Sequence, residues 1–233
     1  MELDLDRLDR ILTSLGYGSR KEVQNLIKNG HVAVCGVVSK DVKQKVNHAD
    51  ITIDGEPLDP QTLIIVLYKP MHYVCSHDDA GRLIYSILPP RWQRRNPKIS
   101  TIGRLDSDTT GVILLTDDGA LNHALTSPRK HITKVYEVTL ASPLQGVEAE
   151  IFSSGTLMLR GDDKPCMSAK LTMIDPYNAT VELTEGRYHQ VKRMFAAVGN
   201  KVVKLHRKQF ANIEIGDLQE GQYKIIRKED ILF

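Results

Sequence analysis

The 233 residues include 31 Lys and Arg against 29 Asp and Glu, and 41% of them are hydrophobic, which is typical of a globular protein. This composition excludes collagen, coiled-coil and intrinsically disordered chains, and the length favours one medium domain with one small domain. The longest apolar run, residues 63–67, is too short to span a bilayer, and the acidic start of the sequence lacks the basic and apolar regions of a signal peptide. We therefore expect a cytoplasmic protein with no membrane partner.

The three cysteines of the chain are too few and too widely spaced for a disulfide framework or a CxxC-type zinc site. Their odd number also prevents complete pairing. Cys35, Cys75 and Cys166 are therefore expected to be reduced, buried thiols.

Basic residues are concentrated in two segments that contain no acid, although the net charge is only +2. Residues 187–213 hold seven of them, and residues 91–104 hold five. Such segregated positive charge is typical of nucleic-acid binding, because neutralising phosphates supplies most of the affinity that does not depend on sequence. The alternative is a basic face that is merely solvated.

The first thirty residues predict two helices. Apolar residues from Leu5 to Leu15 recur on one helical face, and Gly16 ends that helix. Ser19 and Glu22 form a capping box that opens a second helix, which ends at Gly30. Short β-prone runs follow at residues 31–35, 37–38 and 51–53, closed by a turn at residues 54–55. We predict a small α+β domain over residues 1–60, with residues 54–62 as a linker.

The order of these residues resembles an S4 RNA-binding module. The matching positions are Leu8-Asp9-Arg10, Gly16, Ser19-Arg20, the run from Leu26 to Val32, Gly36, Asp50-Ile51 and Gly55. In that family the second helix and the turn before it present basic side chains to structured RNA. The resemblance therefore implies RNA contacts by Arg20, Lys21 and Lys28, the alternative being a small packing domain with incidental lysines.

The remaining chain, residues 61–233, is predicted to be a second domain in which strands outnumber helices. Strand-like runs occur at residues 63–68, 112–115, 135–140, 169–174, 181–183, 202–205 and 213–215, and helical runs at residues 122–125, 146–152 and 188–198. This pattern predicts an α+β fold with a mixed, largely antiparallel sheet and helices packed on it.

The segment from Gly103 to Gly111 places two carboxylates and three hydroxyl groups in a turn before an apolar strand. Three chemistries compete with the simpler interpretation of a polar turn that caps its own backbone. A calcium loop would use Asp106, Asp108, Thr110, Gly111 and Asp117, but no helix precedes it. A glycosidase pair, Asp106 and Asp108, is disfavoured because only 6% of residues are aromatic. A single aspartate beside basic residues, acting on a ribose, fits the surroundings.

Three motifs in order resemble those of the RsuA/RluB-type pseudouridine synthases. They are Gly103-Arg104-Leu105-Asp106 with the following Thr109 to Gly119, then Lys134-Val135-Tyr136-Glu137-Val138, then the run from Glu185 to Met194. Lys69-Pro70 and the run from Tyr73 to Ser76 match the opening strand of that family. With the S4-like front, the resemblance covers nearly the whole chain.

The resemblance implies an isomerase that converts a uridine of ribosomal RNA to pseudouridine with no cofactor and no metal. The implied partner is 16S rRNA or the assembling small ribosomal subunit, and a monomer is the default state. Two alternatives stay open. One is a 23S rRNA synthase of the same family, and the other, from a different class, is a non-catalytic RNA-binding module for ribosome assembly.

The resemblance also implies three catalytic residues. Asp106 is the catalytic aspartate, which adds to C1′ of the ribose or abstracts the C2′ proton. Tyr136 packs on the flipped base and helps remove the C5 proton. Lys192 supplies the cation that favours the ionised carboxylate of Asp106, with Arg193 as the alternative.

Further side chains are expected to contact RNA or to support the turn. Arg104 fills the space that the flipped uridine leaves, or else pairs with Asp108. Expected phosphate contacts are Arg187, His189, Arg193, Arg129 and Lys130. Asp108, Thr109 and Thr110 are expected to hold the Asp106 turn through local hydrogen bonds.

Overall fold

A computed structural model describes residues 5–232, so most of the acidic start of the sequence lies outside the described residues. The chain forms two compact units. The first comprises the chain up to Leu63 together with Tyr85–Ser100 and Thr116–Asp118. The second comprises Ile64–Ile84, Thr101–Leu115 and the chain from Gly119 onward. Within residues 5–232, every helix is too short or too polar to cross a membrane.

The first unit contains two short helices and two small sheets. The helices are α1 (Leu8–Ser14) and α2 (Arg20–Lys28). The strands are β1 (Asp6–Arg7), β2 (Val32–Val34), β3 (Val37–Val38), β4 (Lys45–Val46), β5 (Ile51–Ile53) and β6 (Glu56–Pro57). Strand β1 pairs with β4, and the other four form a sheet in the order β3-β2-β5-β6. Leu8, Leu12, Ile27 and Val32 are fully buried between these elements.

The predicted capping box is confirmed at the start of α2. The Ser19 hydroxyl accepts a hydrogen bond from the Glu22 amide at 3.4 Å, and the Glu22 carboxylate accepts one from the Ser19 amide at 2.7 Å. The predicted start of the first helix is wrong. Helix α1 begins at Leu8 because Asp6 and Arg7 pair with β4, and Leu5 is left exposed.

Residues 54–62 do not form a free linker. Asp54 and Gly55 form the predicted tight turn, with φ of 50° and 87°, between β5 and β6. The Asp59 carboxylate then accepts hydrogen bonds from Arg91 Nε at 2.7 Å and Trp92 Nε1 at 2.9 Å. Arg95 donates to the carbonyls of Pro60 and Gln61. These bonds fix the segment within the first unit, because residues 85–100 belong to that unit as well.

The prediction that all three cysteines are buried is wrong for one of them. Cys75 and Cys166 are buried, but Cys35 is exposed. Cys35 and Gly36 have positive φ, 49° and 77°, in the turn between β2 and β3. A two-residue hairpin turn points its side chains away from the core, and this turn exposes the thiol.

The remaining chain builds a nine-stranded sheet and a separate two-stranded one. The strands are β7 (Ile64–Lys69), β8 (Tyr73–Val74), β9 (Arg82–Leu83), β10 (Ser100–Ile102), β11 (Thr109–Thr116), β12 (Lys134–Leu140), β13 (Lys170–Met173), β14 (Asn178–Leu183), β15 (Val202–Phe210), β16 (Ile213–Glu214) and β17 (Tyr223–Ile225). The helices are α3 (Gly119–Thr126), α4 (Glu148–Ser153) and α5 (Gln190–Ala197).

The large sheet has the mixed, mostly antiparallel character that the sequence predicts. Its strand order is β13-β14-β12-β15-β11-β7-β17, with β10 on β11 and β16 on β15. Strands β11 and β15 run parallel, whereas β12 is antiparallel to both β14 and β15. The α+β fold class is confirmed.

Two apolar clusters in the second unit fix the elements that carry the candidate site. Helix α5 buries Val191, Met194 and Phe195, and Phe195 packs edge to face on Phe152 of α4 at 5.1 Å between ring centroids. The second cluster joins Val112 and Leu114 of β11 to α3. The predicted helix at residues 188–198 starts later, at Gln190, because His189 adopts a left-handed conformation with φ of 48°.

Candidate active site

A cleft of about 860 Å³ in the second unit brings the three sequence motifs together. Its lining includes the turn from Gly103 to Thr109, Lys134 and Tyr136 of β12, and the segment from Leu183 to Lys192. The predicted catalytic residues Asp106, Tyr136 and Lys192 all line this cleft, as do Arg104, Arg187 and His189. These residues are up to 88 positions apart in the sequence, and the folding of the sheet and α5 brings them together in one cleft.

Asp106 is held between two basic side chains. Lys192 Nζ donates to Asp106 Oδ2 at 2.9 Å, and His189 Nε2 lies 3.2 Å from Asp106 Oδ1. Lys192 also donates to Asp108 Oδ1 at 2.6 Å. The Asp106 side chain is 27% exposed, whereas that of Asp108 is 61% exposed. Asp106 is thus the carboxylate enclosed by the cleft, and Asp108 lies at its edge.

The charges of Lys192 and Asp108 stabilise each other. Burial opposes ionisation of Asp108, but the hydrogen bond and charge of Lys192 outweigh it and lower the pKa of Asp108 below its usual value. Burial likewise opposes the charge of Lys192, and the bonds to Asp108 and Asp106 outweigh it and raise the pKa of Lys192. At neutral pH Lys192 is therefore a fixed cation that bonds to both side chains.

The backbone of the Asp106 turn is anchored by a lysine that the sequence analysis gave no role. Lys69 is fully buried, and its Nζ donates to the carbonyls of Thr109 at 2.8 Å, Pro70 at 3.0 Å and Ser107 at 3.4 Å. Burial lowers the pKa of Lys69 to about 8. The signal available in the sequence was a single lysine at the end of an apolar strand, where buried charge needs partners.

Close backbone contact fixes the strand that follows the turn. Gly111 pairs with Arg207 across the parallel strands β11 and β15, and its φ is 118°. A Cβ atom at this position would lie 2.2 Å from the Arg207 carbonyl oxygen, so a side chain there would force the strands apart. Packing therefore requires the glycine at position 111 of the first motif.

The expected local hydrogen bonds around Asp106 are mostly replaced by longer-range ones. The Thr109 amide donates to the Asp106 carbonyl at 3.1 Å, as expected of a turn. The Thr110 hydroxyl instead lies 2.9 Å from His206 Nδ1, and Asp108 is bound by Lys192. The Thr109 hydroxyl is buried with no hydrogen-bond partner among residues 5–232.

Arg187 and Arg193 make intramolecular contacts through Asp162. Arg187 Nη1 lies 3.0 Å from Asp162 Oδ2, and Arg193 Nη2 lies 2.5 Å from Asp162 Oδ1. Arg187 also donates to the carbonyls of Lys164 and Pro165, and Arg193 donates to that of Arg160. These bonds tie residues 160–165 to the start of α5. Lys192, and not its neighbour Arg193, contacts Asp106.

Other predicted RNA contacts lie on open surface. Arg104 is exposed at the cleft, and the alternative partner considered for it, Asp108, is bonded to Lys192. Arg129 and Lys130 are exposed in the short turn that follows α3. In the first unit, the exposed basic side chains on α2 are Arg20, Lys21 and Lys28.

Two further cations line the cleft and were missed as site residues. Lys134 Nζ donates to the Ile132 carbonyl at 2.7 Å, and burial, with the nearby charge of Arg207, lowers its pKa to about 8. Arg207 is buried, donates from Nε to the Val112 carbonyl at 2.8 Å, and lies 5.2 Å from the centre of the Phe210 ring. Arg207 could be found from the alternation of β15, because it lies two residues after Leu205 and so falls on the same buried face of the strand.

The calcium-loop alternative loses one of its ligands. The Asp117 carboxylate accepts from the Leu63 amide at 2.8 Å and from Arg95 Nε at 2.7 Å. In the part of the chain that the structure describes, no group of three or more His, Cys, Asp or Glu side chains is placed to hold a metal ion.

Comparison with known proteins agrees with this arrangement of motifs. The model of the family described as RNA pseudouridylate synthase matches residues 63–197, and that of the S4 domain matches residues 6–52. The chain is 43% identical over 230 residues to "Ribosomal small subunit pseudouridine synthase A" of Pasteurella multocida, covering 97% of each chain. It is 40% identical over 232 residues to the protein of the same name from Escherichia coli strain K12, covering 97% of this chain and 98% of that one.

A solved structure gives the same result. The chain is similar to a crystal structure of a pseudouridylate synthase with a TM-score of 0.68 and 36% sequence identity. The match covers 96% of this chain and 97% of that chain, so it includes both compact units. The two resemblances that the sequence motifs carried are confirmed. The chain belongs to the RNA pseudouridylate synthase family, whose members are isomerases, and it contains an S4 domain ahead of the segment that matches the family.

Proposed function

We propose that this protein converts a uridine of small-subunit ribosomal RNA, 16S rRNA, to pseudouridine, with Asp106 as the carboxylate that acts on the ribose. The observation that carries the proposal is the position of Asp106, held by Lys192 at 2.9 Å and His189 at 3.2 Å in a cleft lined by basic side chains. Relatives at 43% and 40% identity are named as small-subunit enzymes, which supports the choice of RNA.

The chemistry needs no external reagent because it is an isomerisation. The N1–C1′ bond of the uridine breaks, the uracil turns, and a C5–C1′ bond forms. The C5 proton is then lost and N1 gains a proton, so the atoms of substrate and product are the same. In one route Asp106 adds to C1′ as the N1–C1′ bond breaks and leaves C1′ when C5 attacks it. In the other route Asp106 removes the C2′ proton as the N1–C1′ bond breaks and returns it to C2′ when the C5–C1′ bond forms. Each route requires the ionised carboxylate. Lys192, a cation that donates a hydrogen bond to Asp106, favours that form.

The other cleft residues serve the flipped base. A uridine stacked in RNA is out of reach of Asp106, so it must leave the stack at a cost of about a few kcal/mol. Tyr136, half-buried in the cleft, packs on the uracil and assists removal of the C5 proton. The exposed Arg104 occupies the gap that the uridine leaves. Arg20, Lys21 and Lys28 of the S4 domain, with Arg129 and Lys130, bind phosphates.

Pseudouridine mapping of unmodified 16S and 23S rRNA tests the proposal. Each transcript is incubated with the wild-type protein or with Asp106→Asn, without added cofactor or nucleotide. We expect one new pseudouridine in 16S rRNA with the wild-type protein and none with the variant, whose RNA affinity stays close to that of the wild type. A product in 23S rRNA instead would overturn the choice of substrate.

The same assay separates the enzyme from a non-catalytic RNA-binding module. No product on free RNA or on assembling subunits, with RNA binding intact, would favour the binding module.

We also propose that the protein is a monomer, and sedimentation of the protein alone tests this. We propose that it acts in the cytoplasm, where ribosomes assemble, and fractionation of cells tests this.

A further inference from the structure

Tyr188 presents an open aromatic face at the same cleft. Its ring stacks on the imidazole of His189 with 3.8 Å between centroids and 19° between planes. The side chain nevertheless stays 76% exposed, so the ring face opposite His189 is open to solvent. Tyr136, the other tyrosine of the cleft, is half-buried. Of the two tyrosines, Tyr188 is therefore the more exposed to solvent.

The backbone holds this ring in a fixed place. His189 has a left-handed conformation with φ of 48°, which is a strained backbone conformation for a non-glycine residue. Its imidazole contacts Asp106, and the Tyr188 carbonyl accepts a hydrogen bond from Arg193 Nη1 at 3.2 Å. On the other side, the Arg187 amide donates to Gln190 Oε1 at 2.9 Å. The strained turn thus orients His189 toward the carboxylate and Tyr188 outward.

Several basic side chains line the cleft that includes this ring, which indicates the class of ligand. Lys134, Lys192 and Arg104 line the same cleft. An exposed aromatic ring beside cations is the combination by which proteins bind unstacked nucleotides, because phosphates meet the cations and a base stacks on the ring.

We propose that Tyr188 stacks on the nucleobase adjacent in sequence to the flipped uridine. This inference rests on the proposed function, because it requires RNA in the cleft. The exposure of Tyr188 places it at the mouth, where a neighbouring base passes, whereas Tyr136 meets the uracil inside. Tyr188 is a binding residue under this proposal, and its aromatic ring, not its hydroxyl, is what matters.

Fluorescence of a base analogue tests the contact directly. The probe is a short single-stranded RNA with one central uridine and 2-aminopurine on its 5′ or its 3′ side, added to the full-length protein at saturation. Wild type and Tyr188→Phe should quench one of the two probes, and Tyr188→Leu should not. Tyr177→Leu, which changes another exposed tyrosine outside the cleft lining, is the matched control and should quench like wild type. Equal quenching by Tyr188→Leu and wild type would overturn the proposal.

Steady-state kinetics on small-subunit RNA separate stacking from a structural role. Loss of one stacking contact should raise KM by about tenfold or more in Tyr188→Leu. The kcat at saturating RNA and its pH profile should match the wild type, since Asp106, Lys192 and His189 are retained. A changed kcat or pH profile with normal KM would show instead that Tyr188 merely positions His189, and would overturn the proposal.

The two proposals fail in different ways. If no RNA yields pseudouridine but the Tyr188-dependent quenching persists, the proposed function fails while the stacking contact stands. If pseudouridine forms and Tyr188→Leu has the KM and quenching of the wild type, the function stands and the stacking contact fails.

Discussion

Lys192 Nζ lies 2.9 Å from Asp106 Oδ2, and this pair joins the first turn of α5 to the turn that precedes β11. Both residues line the cleft, so the contact holds the carboxylate beside a cation. Because the same ammonium also binds Asp108 at 2.6 Å, the two acids share one partner.

Removal of the Lys192 charge should impair catalysis more than binding. We expect Lys192→Met to lower kcat by about 100-fold, because Asp106 loses both its charge partner and its fixed position. Lys192→Arg keeps the charge and should retain much more activity. Single-turnover rates on small-subunit RNA measure both. Equal losses in the two variants would show that charge is not what Lys192 supplies.

Asp108 should matter far less than Asp106. Asp108→Asn leaves Lys192 paired with Asp106, so we expect kcat within about tenfold of wild type, against complete loss in Asp106→Asn. A glycosidase-like pair of acid and base would need both carboxylates equally. Its acid would also need a raised pKa, whereas the pKa of Asp108 is lowered. Parallel rate measurements on the two variants decide between these mechanisms.

RNA affinity should fall as the pH rises through about 8. The pKa of Lys134 is about 8 in the folded protein, below the ordinary value of 10.5, so its positive charge is lost between neutral and alkaline pH. The salt dependence is the slope of the logarithm of the RNA binding constant against the logarithm of the salt concentration. We expect the magnitude of this slope to fall by about one from pH 7 to pH 9.5. Filter binding measures it. Lys134→Arg stays charged, so at pH 9.5 it should keep the slope that it has at pH 7. If this variant loses as much slope as the wild type, another group causes the effect.

The buried pair Arg95 and Asp117 should dominate the stability of the first unit. Both side chains are buried, 2.7 Å apart, and Arg95 also binds the carbonyls of Pro60 and Gln61. Arg95→Met leaves the Asp117 charge without its cation, so we expect a loss of about 3 to 5 kcal/mol in the free energy of unfolding. Urea denaturation measures it. The exposed neighbour Arg94 is the control, and Arg94→Met should change that free energy by less than about 0.5 kcal/mol.

Arg187 should act on stability, and Arg129 on RNA binding. Arg187→Gln removes bonds to Asp162, Glu185 and two carbonyls. We therefore expect the free energy of unfolding, measured by urea denaturation, to fall by about 1 to 3 kcal/mol. The exposed Arg129 should leave stability unchanged when replaced by Gln, but reduce the salt slope of RNA binding by about one. If Arg187→Gln instead lowers the salt slope and leaves stability unchanged, Arg187 contacts phosphates, as the sequence predicts.

Local patterns in the sequence were enough for much of the fold. The spacing of Ser19 and Glu22 predicts the start of α2, because a capping box involves residues three apart. Alternation and apolar runs locate most strands of the large sheet, although β10 and β17 are too short to stand out. The order of the three motifs selected Asp106, Tyr136 and Lys192, and all three line one cleft.

Charge pairing was decided only by tertiary structure. Lys192 and Arg193 are adjacent in the sequence, yet consecutive helical residues point about 100° apart, so one meets Asp106 and the other Asp162. Its place at the end of an apolar strand is a local signal that Lys69 is buried, but only the tertiary structure shows that Lys69 binds the Asp106 turn. Only the tertiary structure likewise shows that Arg91 and Arg95 bind within the first unit. The sequence by itself determined the family, most strands and the helices apart from the starts of α1 and α5, because those depend on neighbours and ordered motifs. Which cation meets which carboxylate depends on elements that folding brings together from distant parts of the chain.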